Sequence, residues 1–236
     1  MNHRDSMEPA TTATFNKFDD YYTHARTDIV PMIPPGAARI LEVGCGSGNT
    51  LDHLRRNGIG IWHGGVEIND GMAREASGKV DRIWIGAIEE VLAAEDGIGA
   101  ETDFDVILCL DILEHLIDPW TVLKRLVGHL SAGGTVIASI PNIRFHKAVL
   151  PLLLKGKWSY EERGVLDSTH LRFFTRETAV AMVRDAGLEI SAVEPSTALK
   201  PWKNKWIINK LTGGRLVDFY AYNYRIAGRK PVLPTE

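Results

Sequence analysis

Residues 40–48 read ILEVGCGSG, with one acid, Glu42, ahead of three glycines at alternate positions, Gly44, Gly46 and Gly48, separated by Cys45 and Ser47. A main chain stripped of side chains at that density accepts left-handed backbone and lets a ligand touch it directly. A helix opening at Asn49 would add unpaired N–H groups and the positive end of its dipole. A second acid, Glu67, closes the stretch GGVE, roughly 20 residues on, where ribose-binding carboxylates of nucleotide folds sit. Further along, histidines stand beside acids in DILEH at 111–115 and in DSTHLRFFT at 167–175. A histidine in such company can position a hydroxyl or take its proton.

Three ligands compete for the glycine loop. A phosphate loop requires G-x-x-x-x-G-K-S/T; counted from Gly44, the last two positions hold Asn49 and Thr50, so the lysine is missing. The dinucleotide fingerprint G-x-G-x-x-G requires glycine where Asn49 stands. The third ligand is a nucleoside bearing an amino acid instead of phosphates. Its carboxylate would use loop N–H groups, its amine would face Glu42 directly or through water, and its ribose hydroxyls would both donate to Glu67. The plain alternative for Glu67 is a cap on the following turn.

These residues need strands that end on one side of a sheet. Strand-like runs at 39–43, 61–68, 82–85, 104–110, 135–140, 189–193 and 219–227 alternate with helical patterns at 49–57, 88–94, 119–130 and from Thr175 to about Gly187. The run FDVILCL at 104–110 is nearly unbroken, as expected where both faces of a strand are covered. Residues 132–134, Ala-Gly-Gly, predict a turn. Such alternation implies βαβ units and a mostly parallel sheet. Ahead of it, Phe15, Phe18, Tyr22 and Ile29 predict one helix or two short ones over 15–33, ended by Pro31, Pro34 and Pro35. Residues 1–14 are small and polar and read as a disordered tail, leaving 15–230 as one domain. The connections 143–174 and 197–217 are long for this rhythm and read as lid or insertion segments.

Four of these pieces, in order and at matching spacing, resemble class I S-adenosylmethionine-dependent methyltransferases: ILEVGCGSGNT their first motif, GGVEIN their second, FDVILCLDILEHL the fourth-strand motif and LSAGGTVIASIPN the fifth strand. The resemblance implies an α/β, Rossmann-like sheet of seven strands in the order 3-2-1-4-5-7-6, strand 7 antiparallel, with helices on both faces. It implies S-adenosyl-L-methionine as cofactor and S-adenosyl-L-homocysteine as product. Carried over by position, Gly44, Cys45, Gly46 and Gly48 line the methionine part with Glu42, Glu67 holds the ribose, and Ile68 packs on the adenine. Ala87 and Ile88 meet the adenine edge, and Leu110 and Asp111 lie beside the methionine. Tyr22 and Arg26 match a tyrosine and an arginine that relatives supply from the helix before the first strand, and Arg26 would pair with the cofactor carboxylate.

On the acceptor side, His115 matches a residue that relatives place near the reacting centre. The stretch DSTHLRFFT resembles a branch that modifies sugars or cell-surface glycans, and it implies that His170 and Arg172 face the pocket from a lid anchored by Phe173 and Phe174. His115 and His170 are the catalytic candidates; Asn142, His170 and Arg172 are the acceptor contacts. Asp111, Glu114 and His115 show no paired-histidine spacing, so no metal is expected. The expected reaction is O-methylation of a small molecule or glycan. Alternatives are a quinone-type or carboxylate O-methyltransferase, an RNA methyltransferase, and a module that binds the cofactor without turning it over.

Composition sets the outer bounds. The chain of 236 residues is 44% hydrophobic and carries a formal net charge of −3, so it can bury a core and offers no global basic field for nucleic acid. Two cysteines, Cys45 and Cys109, make no disulfide framework, and a cytoplasmic setting is the default. The first residues show no signal peptide. Lysines mix with aromatics at 155–160 and 200–206. Rim packing is the favoured reading, ahead of contact with an anionic or lipid-linked acceptor or a peripheral membrane surface.

Overall fold

The computed structural model describes residues 24–196 and 216–232. Seven strands, β1 (Arg39–Val43), β2 (Trp62–Glu67), β3 (Arg82–Ile85), β4 (Phe104–Leu110), β5 (Leu130–Pro141), β6 (Glu189–Pro195) and β7 (Asn223–Arg229), form one sheet in the order β3-β2-β1-β4-β5-β7-β6. The first five run parallel, while β7 is antiparallel to both β5 and β6. Order and direction agree with the expectation. The helices are α1 (Asn49–Arg56), α2 (Asp70–Ser77), α3 (Ile88–Ala93), α4 (Pro119–Gly128), α5 (His146–Lys155), α6 (Arg176–Asp185) and a single turn, α7 (Val217–Tyr220).

Strand alternation divides the core in two. Leu41, Val43, Ile107 and Cys109 join one cluster with Leu92 of α3 and Leu123 and Leu126 of α4. Their neighbours Ile40, Val106, Leu108 and Leu110 pack the other way, against Leu51 and Leu54 of α1 and Ala76 of α2. Period-two side chains fall on opposite faces, and helices on both faces explain why β4 is apolar at nearly every position. Truncating one such buried leucine to alanine costs roughly 2–5 kcal/mol. The core therefore fixes where the strand ends, and the residues just beyond them, must lie.

Several elements depart from expectation. Helix α2 has only Ala73 and Ala76 buried, too little apolar surface to show as a stripe; the Asn69 side chain caps it by accepting from Met72 N. Residues 132–134 belong to β5. Leu130 pairs with Phe104 and Thr135 with Val106, so the intervening residues bulge within the strand, with Gly133 at φ 77°. The last strand starts at Asn223, since residues 217–220 turn helical first, and it runs to Arg229. Of the helix expected over 15–33, the described part is a 3-10 helix at Thr27–Met32, with Pro31 inside it and Ile29 buried in the second cluster. Tyr22 and residues 197–215 lie outside the described residues. The 143–174 connection contains α5, which was not expected. Helix α6 starts where Thr175 predicted, with a Thr175–Thr178 capping box. Among the described residues no helix is long and apolar enough to cross a membrane.

Candidate active site

The glycine loop leaves β1 with Gly44, Gly46 and Gly48 all at positive φ, 71°, 53° and 75°. At Gly48, the N-cap of α1, an added Cβ would lie 3.1 Å from Ala76 Cβ, so both conformation and space demand glycine. Gly65 serves a different need: a Cβ there would come within 2.5 Å of Cys45 Sγ, which packs onto β2. The loop amides are largely used internally. Gly44 N and Cys45 N donate to Val66 O at 2.9 and 3.1 Å, Gly46 N to Glu67 Oε2 at 2.8 Å and Gly48 N to Cys45 O at 2.9 Å. This corrects the expectation that these N–H groups receive a ligand carboxylate. What the glycines offer is close approach.

Two acids flank the loop. Glu67, buried at the tip of β2, accepts one backbone N–H on each oxygen, from Gly46 and from Asn69 N at 2.8 Å. A carboxylate has about four acceptor sites, so both oxygens keep capacity for hydroxyl donors. Glu42 is buried, hydrogen-bonded to the Thr50 hydroxyl, and its Oε2 has no partner. Burial pushes its carboxyl up to about 8, against the opposing pull of Thr50 and Arg26, and Glu67 adds to the rise. An orphaned buried carboxyl oxygen beside bare backbone fits a ligand amine. Two acids there are unsuited to a pyrophosphate. Those features match an adenosine carrying an amino acid.

At the end of β4, Asp111 is held from both sides in left-handed backbone, φ 52°. Ser139 Oγ donates to its Oδ1 at 2.8 Å, Asn223 Nδ2 donates to that Oγ at 3.0 Å, and Arg26 Nη1 pairs with Oδ2. Arg26 also binds Asp28 at 2.9 Å and Ser139 Oγ at 3.2 Å. Its main-chain N donates to Thr50 Oγ1 at 3.2 Å, joining this network to Glu42. Ser139, Thr50 and Asn223 were not among the expected site residues. Nothing in their local sequence marks them, because three separate elements bring them together.

The 3-10 turn Leu113–His115 carries the acceptor-side groups. Leu171 N and Arg172 N both donate to Glu114 O, at 2.9 and 3.0 Å, which docks the 167–175 segment onto this turn. His115 and His170 meet edge to face with ring centroids 4.7 Å apart. Thr169 Oγ1 gives its proton to Asp167 Oδ1 at 2.6 Å, so it accepts from His115 Nδ1 at 3.1 Å. His170 Nδ1 likewise donates to Val165 O at 3.2 Å. Both neutral imidazoles therefore carry their lone pair on Nε2. Burial lowers the pKa of each ring, and for His115 the neighbouring His170 adds to it. Glu114 is 1% exposed with neither carboxyl oxygen partnered; burial, and next the charge of Asp111, raise its pKa well above the usual range.

Other expected contacts fall elsewhere. Asn142 spends its amide on structure, donating to Asp218 O at 2.6 Å and Ala221 O at 2.9 Å while accepting from Arg144 N at 3.1 Å, so it ties β5 to α7 instead of facing an acceptor. Arg172 donates to Ile117 O and to Leu171 O, clamping the segment onto the turn after β4. The Ile88 side chain is buried in the first core cluster, so only Ala87, the N-cap of α3, and the local backbone stand at the rim. Leu110 is buried in the second cluster. Ile68, beside Glu67, is 55% exposed. Phe174 is buried and Phe173 packs 5.2 Å from Trp158, as anchors should.

Known proteins resemble this chain in sequence and in fold. A methyltransferase domain family model matches residues 16–193. The ubiquinone biosynthesis O-methyltransferase of Xylella fastidiosa is 27% identical over 221 residues, 87% of this chain and 79% of that protein. The protein of the same name from Ralstonia nicotianae is 29% identical over 209 residues, 85% of this chain and 80% of that one. Among solved structures, an S-adenosylmethionine-dependent methyltransferase from Archaeoglobus fulgidus superposes with a TM-score of 0.61 at 19% identity, over 86% of this chain and 90% of that one. Magnesium protoporphyrin IX methyltransferase from Synechocystis, with bound S-adenosylhomocysteine, gives 0.56 at 14% identity, over 86% and 78%.

Proposed function

The chain belongs to the methyltransferase domain family, and from that premise we propose that it methylates an oxygen of a small hydroxylated aromatic acceptor of the quinone type. S-adenosylmethionine, when bound, supplies an electrophilic methyl group on a sulfonium. In this reading Glu67 accepts from the ribose hydroxyls and Ile68 and Ala87 border the adenine. Glu42 and Asp111 face the amine, and Arg26 supplies positive charge for the carboxylate. The glycines let these contacts close without side-chain obstruction.

The observation that carries the acceptor assignment is the pair of imidazoles beyond β4. His115 and His170 each have Nδ1–H tied down and Nε2 left as a base, 4.7 Å apart by centroid and beside a buried acid. Such groups hold a hydroxyl in line and remove its proton. A carboxylate acceptor needs no base. The names of the relatives at 27% and 29% identity favour a quinone-type acceptor over the glycan suggested by DSTHLRFFT. Residues 143–174 act as the cover over this site, a role supported by the two hydrogen bonds that seat Leu171 and Arg172 on Glu114 O.

The test is labelled methyl transfer to a panel holding a catechol-type phenol, a sugar glycoside and an aromatic carboxylate without hydroxyls. Label on the phenolic oxygen, reduced by His115→Ala, is expected. Label on the sugar or the carboxylate alone would overturn the reading.

A further inference from the structure

We propose that the Tyr222 hydroxyl is a specificity determinant of the acceptor site, donating a hydrogen bond to an acceptor oxygen other than the one that receives the methyl group. Resting on the proposed function, this contact would turn the reactive hydroxyl of the acceptor toward His115 and His170.

Sheet topology brings Tyr222 there. Strand β7 runs antiparallel to β5, and its first residue, Asn223, pairs with Pro141, the last of β5. Tyr222 therefore stands at the carboxyl end of the parallel strands, where sites of open α/β sheets form. Its main chain is held from two sides: Tyr222 N donates to Ser196 O at 3.1 Å, and Asn142 N donates to Tyr222 O at 2.9 Å. The next side chain, Asn223, donates to the Ser139 hydroxyl that holds Asp111. The Tyr222 ring stands edge-on to Phe145, with centroids 5.5 Å apart at 80°. Phe145 in turn packs on the buried cluster of Ala148, Val165 and Leu166. Backbone and ring are thus fixed by the segments that frame the acceptor side.

The hydroxyl has room and keeps its proton. A Cβ on Gly164, which sits at φ 103°, would lie 3.3 Å from Tyr222 Oη, so the loop main chain passes close to the tip of the ring. The Tyr224 hydroxyl is spent on Asp218, whereas that of Tyr222 has no hydrogen-bond partner among the described residues, and its side chain is 40% exposed. Burial, and then the charges of Asp111, Glu161, Asp167 and Glu114, raise the pKa of the phenol. Those acids reach it from the end of β4 and from the 161–167 loop, which places the hydroxyl between the two. A donor is what this end of the site needs. His115 and His170 present lone pairs on Nε2, and Arg172 spends its guanidinium on Ile117 O and Leu171 O. An acceptor with one oxygen at the imidazoles requires a donor for a second oxygen, and a protonated phenol is one.

The full-length protein and its Tyr222→Phe variant are compared on catechol and on phenol. Labelled methyl transfer gives kcat and KM, and calorimetry gives the affinity of each acceptor for protein saturated with S-adenosylhomocysteine. Phenylalanine keeps the ring on Phe145 and removes only the oxygen. Affinity and kcat/KM for catechol should fall roughly three- to tenfold, the worth of one neutral hydrogen bond, chiefly through KM. The values for phenol should not change, and unchanged S-adenosylhomocysteine affinity reports that the variant is folded. Equal losses on catechol and phenol would mark a structural role, and no loss on catechol would mean that the hydroxyl touches no acceptor; either overturns the proposal. If catechol binds with the expected dependence on Tyr222 but is not methylated, the proposed function fails and the contact stands. If Tyr222→Phe methylates catechol with wild-type kcat/KM, the contact fails and the function stands. Wild-type protein that neither binds nor methylates catechol removes both.

Discussion

Glu67 Oε2 accepts the Gly46 amide proton at 2.8 Å, so the acid at the tip of β2 and the loop leaving β1 are one mechanical unit. Gly44 N and Cys45 N reinforce it by donating to Val66 O, the residue before Glu67. The carboxylate proposed to face the ribose is therefore also the one that shapes the glycine loop.

Glu67→Ala should weaken S-adenosylmethionine binding by roughly 1.5–3 kcal/mol, the range for hydrogen bonds to a charged group. It should also lower thermal stability, because the Gly46 and Asn69 amides lose their acceptor. Glu67→Gln keeps acceptor capacity on only one oxygen and should fall between. Calorimetry on folded protein checks this; unchanged affinity in Glu67→Ala would remove Glu67 from the ribose site.

Glu42 makes stability depend on pH. Its carboxyl titrates at about 8 in the folded chain, raised mainly by burial, against about 4.3 for an exposed glutamate. Below pH 4 both states hold the proton and the group is neutral in effect. Between about pH 4.3 and 8 the unfolded chain releases it while the native chain retains it, so stability falls as pH rises. The loss is on the order of 3–5 kcal/mol, levelling off above pH 8. Glu42→Gln should flatten this slope and be more stable than wild type at pH 8. Denaturant melts at pH 5, 6.5 and 8 report it; parallel slopes in the two proteins would refute the buried neutral acid.

His115→Ala should reduce turnover by about 10²-fold or more, the usual contribution of a positioned proton acceptor, with cofactor affinity held within about threefold. His115 lies beyond β4 and meets Thr169 and His170, whereas the loop and Glu67 lie across β1 and β2. Single-turnover rates beside equilibrium cofactor binding separate the effects. Equal loss of both, or of neither, would place His115 outside the acceptor side.

Gly48→Ala should cost stability twice over. Left-handed backbone costs an alanine about 1–2 kcal/mol, and the new methyl would crowd Ala76 Cβ at 3.1 Å. Gly156, at φ 58° after α5, has nothing within 4 Å of an added Cβ, so Gly156→Ala should show the strain alone. A Tm drop for Gly48→Ala that exceeds that for Gly156→Ala by several degrees is the expected result; equal drops would mean α1 and α2 yield freely.

Local pattern was enough to read the strands that frame the cofactor side. FDVILCL needs two covered faces wherever it sits, and GCGSG with Glu67 some twenty residues on has its meaning in spacing along a chain whose strands are adjacent in the sheet. The same reasoning missed α2, whose burial rests on two alanines, and misread Gly133, because a bulge and a turn share the same residues. It assigned Asn142 to an acceptor, although two carbonyls more than seventy residues away take its amide. It weighed Glu114 only as part of a metal set and not as a buried acid, since helical or strand period says nothing about the burial of a single carboxyl in a 3-10 turn. Backbone propensity and side-chain period are properties of neighbours in sequence. The meeting of Glu114 and His115 with His170, and of Arg26 with Asp111 and Ser139, depends on long-range strand order and on one loop folding over another, and no spacing along the chain encodes those distances.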